Sequence, residues 1–168
     1  MTLLDAPRFD EAGYRRKRLI VVTSIGTFTV LVILLWVFSG FPIDWPWNWL
    51  AHMRGRAVVN RFLSDVEKND MGAAYAVWEH DPQWQQHQAQ LKESGYTIER
   101  FTEDWSATSN QNEYGAIKSH DIAAARIAGN VLVVGVFING RRSKPLFLAF
   151  DPKTGTLSFS PVELYLGP

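Results

Sequence analysis

The 168-residue chain has no cysteine. A disulfide framework, a thiolate zinc site and a cysteine nucleophile are therefore excluded. So is a lipoprotein anchor, which needs an N-terminal cysteine to carry the lipid. The chain also lacks a charge of one sign: 17 Lys and Arg balance 17 Asp and Glu. From Ala51 to the end the count is 12 against 13. Nucleic-acid binders carry a basic footprint, so nucleic acid is not an expected partner. Among the four histidines, His52, His80, His87 and His120, neither H-E-x-x-H nor H-x-x-E-H occurs. No metal site is assigned and no cofactor is expected.

The most consequential lack is local. Leu19 to Phe41 contains no Asp, Glu, Lys, Arg or His. A bilayer core about 30 Å thick needs roughly 20 mostly apolar residues to be crossed as a helix, and this run is long enough. Arg15, Arg16, Lys17 and Arg18 abut it directly, whereas no Lys or Arg follows it until Arg54. Clustered basic residues stay on the cytoplasmic side. The expectation is a single-pass membrane protein with its N-terminus in the cytoplasm and its C-terminal domain outside it. A cleaved signal peptide is the rival reading. It calls for a shorter apolar region and small residues at the cleavage site, and Trp36 to Phe41 fit that poorly. Trp45, Trp47 and Trp49 follow, with Pro42 and Pro46 to stop the helix. Tryptophan favours the membrane–water interface, so these rings are expected to form an interfacial belt. The organisation is thus a cytoplasmic tail (1–18), a transmembrane helix (19–41), a Trp-rich connector (42–52) and a soluble domain (53–168). That domain, about 115 residues, is of ordinary size.

Apolar residues at three- and four-residue steps predict an amphipathic helix over Ala51–Lys68. Asp70 caps a second helix, Met71–Trp78. Asp81-Pro82 reads as the start of a third, running through Leu91 to Gly95. Thr97 caps a short fourth helix ending at Trp105, and Ala107–Glu113 is a loop by composition. The period then changes. Ala116–Ala128, Val131–Asn139, Pro145–Asp151 and Thr156–Leu166 are strand-like, separated by short turn-forming stretches, which predicts an antiparallel meander. Helices first and strands afterwards define an α+β domain. In Val131–Ile138 both parities are apolar, so both faces of that strand should be covered. The candidates for the second cover are a fold-back, the connector or another copy of the protein.

This order is similar to the nuclear-transport-factor-2-like (cystatin-like) cone. The segment Phe62-Leu63, Asp70, Ala74-Tyr75 resembles the opening of many such domains. The resemblance covers about Val58 to Leu164. It implies three to four helices on one face of a four-stranded, curved antiparallel sheet. Such domains include enzymes, binders, dimerisation modules and membrane-anchored components of bacterial secretion machines. Phe101, Asp104-Trp105 and Tyr114-Gly115 with Leu157–Pro161 also resemble small bacterial anchored proteins of unknown function, a likeness that implies a bacterial inner membrane and a periplasmic or otherwise extracytoplasmic C-terminal domain. No catalytic residue carries over from either likeness.

Two groups of residues merit weighing. Tyr75, Trp78, Trp84, Phe101 and Trp105 could line a ligand cavity, although aromatics at helical spacing more often fill a core. Ser119 and Asp121 share a strand parity with Ile117, Ala123, Ala125 and Ile127. A carboxylate on an apolar face could serve as a general base. His120 and Asp121, being adjacent in a strand, point to opposite faces and cannot act together directly. The first reading is a non-enzymatic interaction module that pairs with itself through the sheet face or docks on an envelope protein. The second is a small-ligand binder. An enzyme using Asp121 or His120 has the least support.

Overall fold

A computed structural model describes residues 10–93 and 95–166. The chain divides into two compact units, one ending at Phe38 and the other beginning at Ser39.

The first unit is helix α1, Glu11–Phe38. The Asp10 carboxylate accepts from the Gly13 amide at 2.9 Å and satisfies one of the orphan donors of the first turn. Thr29 donates its hydroxyl to the Ile25 carbonyl at 2.9 Å, so a polar group within the apolar run is already paired. Arg15–Arg18 lie within the helix rather than before it. Its C-terminus falls three residues short of the expected Phe41. Gly40 and Phe41 have φ of 81° and 55°, a left-handed backbone that ends a helix. Of the described residues this is the one helix long and apolar enough to cross a membrane, and none of that window is buried. It fits a single membrane anchor or a signal sequence alike.

The second unit begins earlier than residue 53. A turn of 3₁₀ helix, Pro46–Asn48, leads straight into α2, Trp49–Glu67. Trp49 and His52, expected in the connector, are residues of this helix. Helix α3 spans Met71–Trp78, with the Asp70 side chain accepting from the Ala73 amide. The third expected helix is mostly absent. Residues 82–87 form turns, and only Gln88–Glu93 is helical (α4). The Asp81 carboxylate takes the Gln83 amide at 2.8 Å and His87 Nδ1 at 2.6 Å. The backbone bonds Trp84 to Asp81 and His87 to Trp84 are three-residue steps, so the chain coils in turns. Helix α5 is Ile98–Trp105, with Thr97 as cap.

The sheet is a four-stranded antiparallel meander in the order β1-β2-β3-β4: His120–Ala128, Val131–Ile138, Arg141–Phe150 and Leu157–Phe159. It is neither closed nor strongly curled, so the domain is α+β without the tight curvature that the cone resemblance implies. Three strand boundaries differ from expectation. Residues 116–119 do not join the sheet. The Asn139 side chain bonds the Lys118 and Ser119 amides and the Ala116 carbonyl instead. Strand β3 begins at Arg141 because Asn139 and Gly140, with φ of 54° and 71°, make the two-residue turn. Strand β4 stops at Phe159, where Ser160-Pro161 turns the chain away.

One face of the sheet carries Leu132, Val134, Val136 and Ile138 with Leu146, Leu148 and Phe150. Against it pack Val59, Phe62, Leu63 and Val66 of α2, Tyr75 and Trp78 of α3, and Phe101 and Trp105 of α5. Helix α2 reaches the sheet closely at Gly55. A Cβ there would lie 2.5 Å from Leu132 and 2.8 Å from Phe150. On the other face Val133 and Ala149 are also buried. The cover is a fold-back: Leu166 sits over Gly135, 3.0 Å from where a Cβ would stand.

Candidate functional site

The five aromatic candidates come together, and they meet one another. Tyr75, Trp78, Phe101 and Trp105 are buried. Phe62 lies among them, with ring centroids 4.8 Å from Trp105 and 5.3 Å from Trp78. Trp84 stands edge-on to Tyr75 at 5.3 Å. The hollow beside Tyr75 and Trp84 is about 10 Å³, barely room for one water. The Tyr75 hydroxyl donates to the Tyr96 carbonyl at 2.8 Å. Burial pushes its pKa up to about 12, with the charges of Glu79 and Glu99 adding to the effect. Tyr96 is raised too, by burial and by its hydrogen bond to Asp104. The phenols stay neutral donors at ordinary pH.

Ser119 and Asp121 do not share a pocket with Ala125 and Ile127. Strand β1 has a bulge between Ile122 and Ala124, and one extra residue in a strand reverses the parity that follows. Asp121 pairs with Phe137, on the face away from the helices, whereas Ala125 pairs with Val134 on the helix side. Asp121 is exposed, which removes the desolvation that a general base would need. Ser119 lies just before the strand and is also exposed. His120 turns inward. Its Nδ1 meets Glu67 at 2.6 Å and its Nε2 meets Asn60 at 3.0 Å, tying β1 to α2.

Two more histidine–carboxylate pairs occur at 2.6 Å, His52 with Asp44 and His87 with Asp81. The hydrogen bond from His87 holds the Asp81 carboxyl below its usual range. Residues 53 or 60 apart leave no spacing signal, so Glu67–His120–Asn60 was invisible in sequence. Asp81 and His87, six apart across a Pro turn, were findable. Among the described residues no group of three or more His, Asp or Glu is placed to hold a metal ion.

Near the end of α1 the picture is different. Trp45 and Trp47 are exposed and stacked, 5.0 Å apart and nearly parallel. Trp49 donates its indole N–H to the Asp44 carbonyl. Ile43 is 95% exposed and Leu50 is 54% exposed. Ile43 also belongs to a cleft of about 240 Å³, walled by Gly40–Asp44, Arg56, Ala123–Arg126 and the tail residues Leu164 and Tyr165. At the opposite end, Arg15 pairs with Glu11 at 3.9 Å in full solvent exposure, and Arg16, Lys17 and Arg18 are exposed. At the β2–β3 turn Arg142 lies over the Phe137 ring and Lys144 pairs with Glu113.

No protein-family model, curated protein or solved structure matches the chain.

Proposed function

We propose that this chain is a single-pass, membrane-anchored, non-enzymatic interaction module of a bacterial envelope. The observation that carries the proposal is α1: a 28-residue helix, apolar over a full span, with no residue buried. Apolar surface on that scale is rarely left to water, and a helix is one of the two structures that can cross lipid. The basic residues Arg15–Arg18 favour a cytoplasmic N-terminus, and the exposed Trp45 and Trp47 suit the opposite interface. The helices-then-meander order supports a nuclear-transport-factor-2-like ancestry for the domain, with a flatter sheet than the cone.

The partner surface in this reading is the tail-covered side of the sheet. Val162 and Tyr165 are exposed on the outside of the tail, so pairing with a second copy or an envelope protein would run through them. The absence of cysteine makes this simple to test, because any introduced thiol is unique. Tyr165→Cys should form disulfide-linked dimers in native membranes, and Lys153→Cys should not. An impermeant maleimide should label Lys153→Cys in spheroplasts but not Glu11→Cys. Release of a shortened chain from carbonate-washed membranes would mean a cleaved signal sequence and end the anchor reading.

A second reading, small-ligand binding, has one observation in its favour. A groove of about 300 Å³ is lined by Trp105, Tyr114, Leu146 and Phe159, and Phe159 remains 48% exposed. It lies outside the filled aromatic cluster.

A further inference from the structure

We propose that the cleft between the connector and the β1 bulge seats the phosphate of a phospholipid headgroup. The inference rests on reading α1 as a membrane anchor and adds a ligand to it. Two cations face the cleft, Arg56 from α2 and Arg126 from β1. Arg56 is half-buried, and its guanidinium lies on Gly40, where a Cβ would come within 2.8 Å of Cζ. Glycine leaves room for the guanidinium at the floor of the cleft. The bulge supplies the opposite wall with Ala123, Ala124 and Ala125, whose methyl groups keep the cleft open. Its volume, about 240 Å³, holds roughly eight waters at about 30 Å³ each.

The charges are arranged for an anion. Asp44 is the acid in the wall, and its carboxylate is engaged by buried His52 at 2.6 Å. Among the described residues neither arginine has a carboxylate within 4.0 Å. Guanidinium groups bind phosphate oxygens through paired, charge-assisted hydrogen bonds. Ile43 in the wall is 95% exposed, and Trp45 and Trp47, next along the connector, are exposed and stacked. Arginine close in the chain to exposed tryptophan and isoleucine suits the boundary between headgroups and acyl chains. The chain itself limits the distance to the bilayer. Gly40 and Asp44 lie two and six residues beyond Phe38, at most about 7 and 21 Å when fully extended.

The test uses the full chain, delipidated in phosphate-free detergent and observed by native mass spectrometry. Short-chain phosphatidylcholine and phosphatidylglycerol should each be retained as one molecule, because the phosphate is common to both. A galactolipid without phosphate should bind at least about tenfold more weakly, as should phospholipid to the Arg56→Gln/Arg126→Gln variant. Arg141→Gln/Arg142→Gln, at the far turn, should bind as the parent does. Arg126 is exposed, so Arg126→Gln alone decides the matter if Arg56→Gln melts early. Equal retention of the galactolipid, or unchanged binding by the Arg126 variant, would overturn the proposal. Displacement of lipid by an equal concentration of inorganic phosphate would reassign the cleft to a free anion. Carbonate extraction is scored separately: a chain that stays in the membrane and retains no lipid loses the seat alone, and one that leaves the membrane loses the anchor.

Discussion

The two faces of the sheet are both apolar and both covered, yet by different means. The helix side is closed by aromatic side chains from three helices around Phe62. The other side is closed by a few residues of tail, with Leu166 seated on Gly135. Interdigitated rings resist any change in volume. A tail on the surface can shift by rearranging exposed residues. The fold should therefore draw most of its stability from the first face, and the second should be open to exchange with a partner.

The largest effect should come from emptying the first face. Phe62 is fully buried and touches the rings of Trp78, Phe101 and Trp105. Phe62→Ala should cost about 3–5 kcal/mol by lost transfer energy and cavity formation, read as a shift in the urea midpoint. Phe147→Ala, on the half-buried tail side, should cost distinctly less. Equal costs would mean that the tail-covered face supports the fold as strongly as the helix-covered one.

One substitution applied to both faces sharpens it. Gly55→Ala places a methyl 2.5 Å from Leu132 and 2.8 Å from Phe150. Both neighbours are fully buried, so the helix must move, at about 1–3 kcal/mol. Gly135→Ala meets Leu166 at 3.0 Å and Phe147 at 3.1 Å. Both neighbours can swing outward, and alanine suits a strand better than glycine. Its cost should be below about 1 kcal/mol, while the Leu166 methyl groups should lose order by NMR relaxation. Leu166 methyl groups that stay ordered in Gly135→Ala would show that this cover is as rigid as the helices.

Much of this was legible in the sequence, where a local cause produced the feature. The Asp70 and Thr97 caps bond within three residues, so residues 71–78 and 98–105 follow from chain-local chemistry. The double apolar parity of Val131–Ile138 announced two covers, and the fold-back was among the candidates. What escaped depended on contacts distant in sequence or on register. The β1 bulge inverted the face of Asp121 relative to Ala125, which parity counting cannot detect. The cleft joins residues 40–44 with 56, 123–126 and 164–165, four segments that no single window contains. Asp81-Pro82 read as a helix start because the rival bond from Asp81 to His87 is a side-chain event six residues away.

That same bond gives the smallest prediction and confines it to the helix side. The Asp81 carboxylate accepts from His87 and from the Gln83 amide, and through this turn Trp84 is set against Tyr75. The His87 hydrogen bond, first among the causes, lowers the Asp81 pKa in the folded state. A group whose folded pKa is depressed stabilises the fold above its unfolded pKa, about 4 for Asp, and loses that contribution as pH falls through the lowered folded value. Acid loosening should therefore begin below about pH 4, show first in the emission of Trp84, and leave the Leu166 methyl signals unaffected. Asp81→Asn cannot ionise, so its Trp84 emission should not change across that window. If the tail responds to acid before Trp84 does, the helix-covered face is not the one that this hydrogen bond secures.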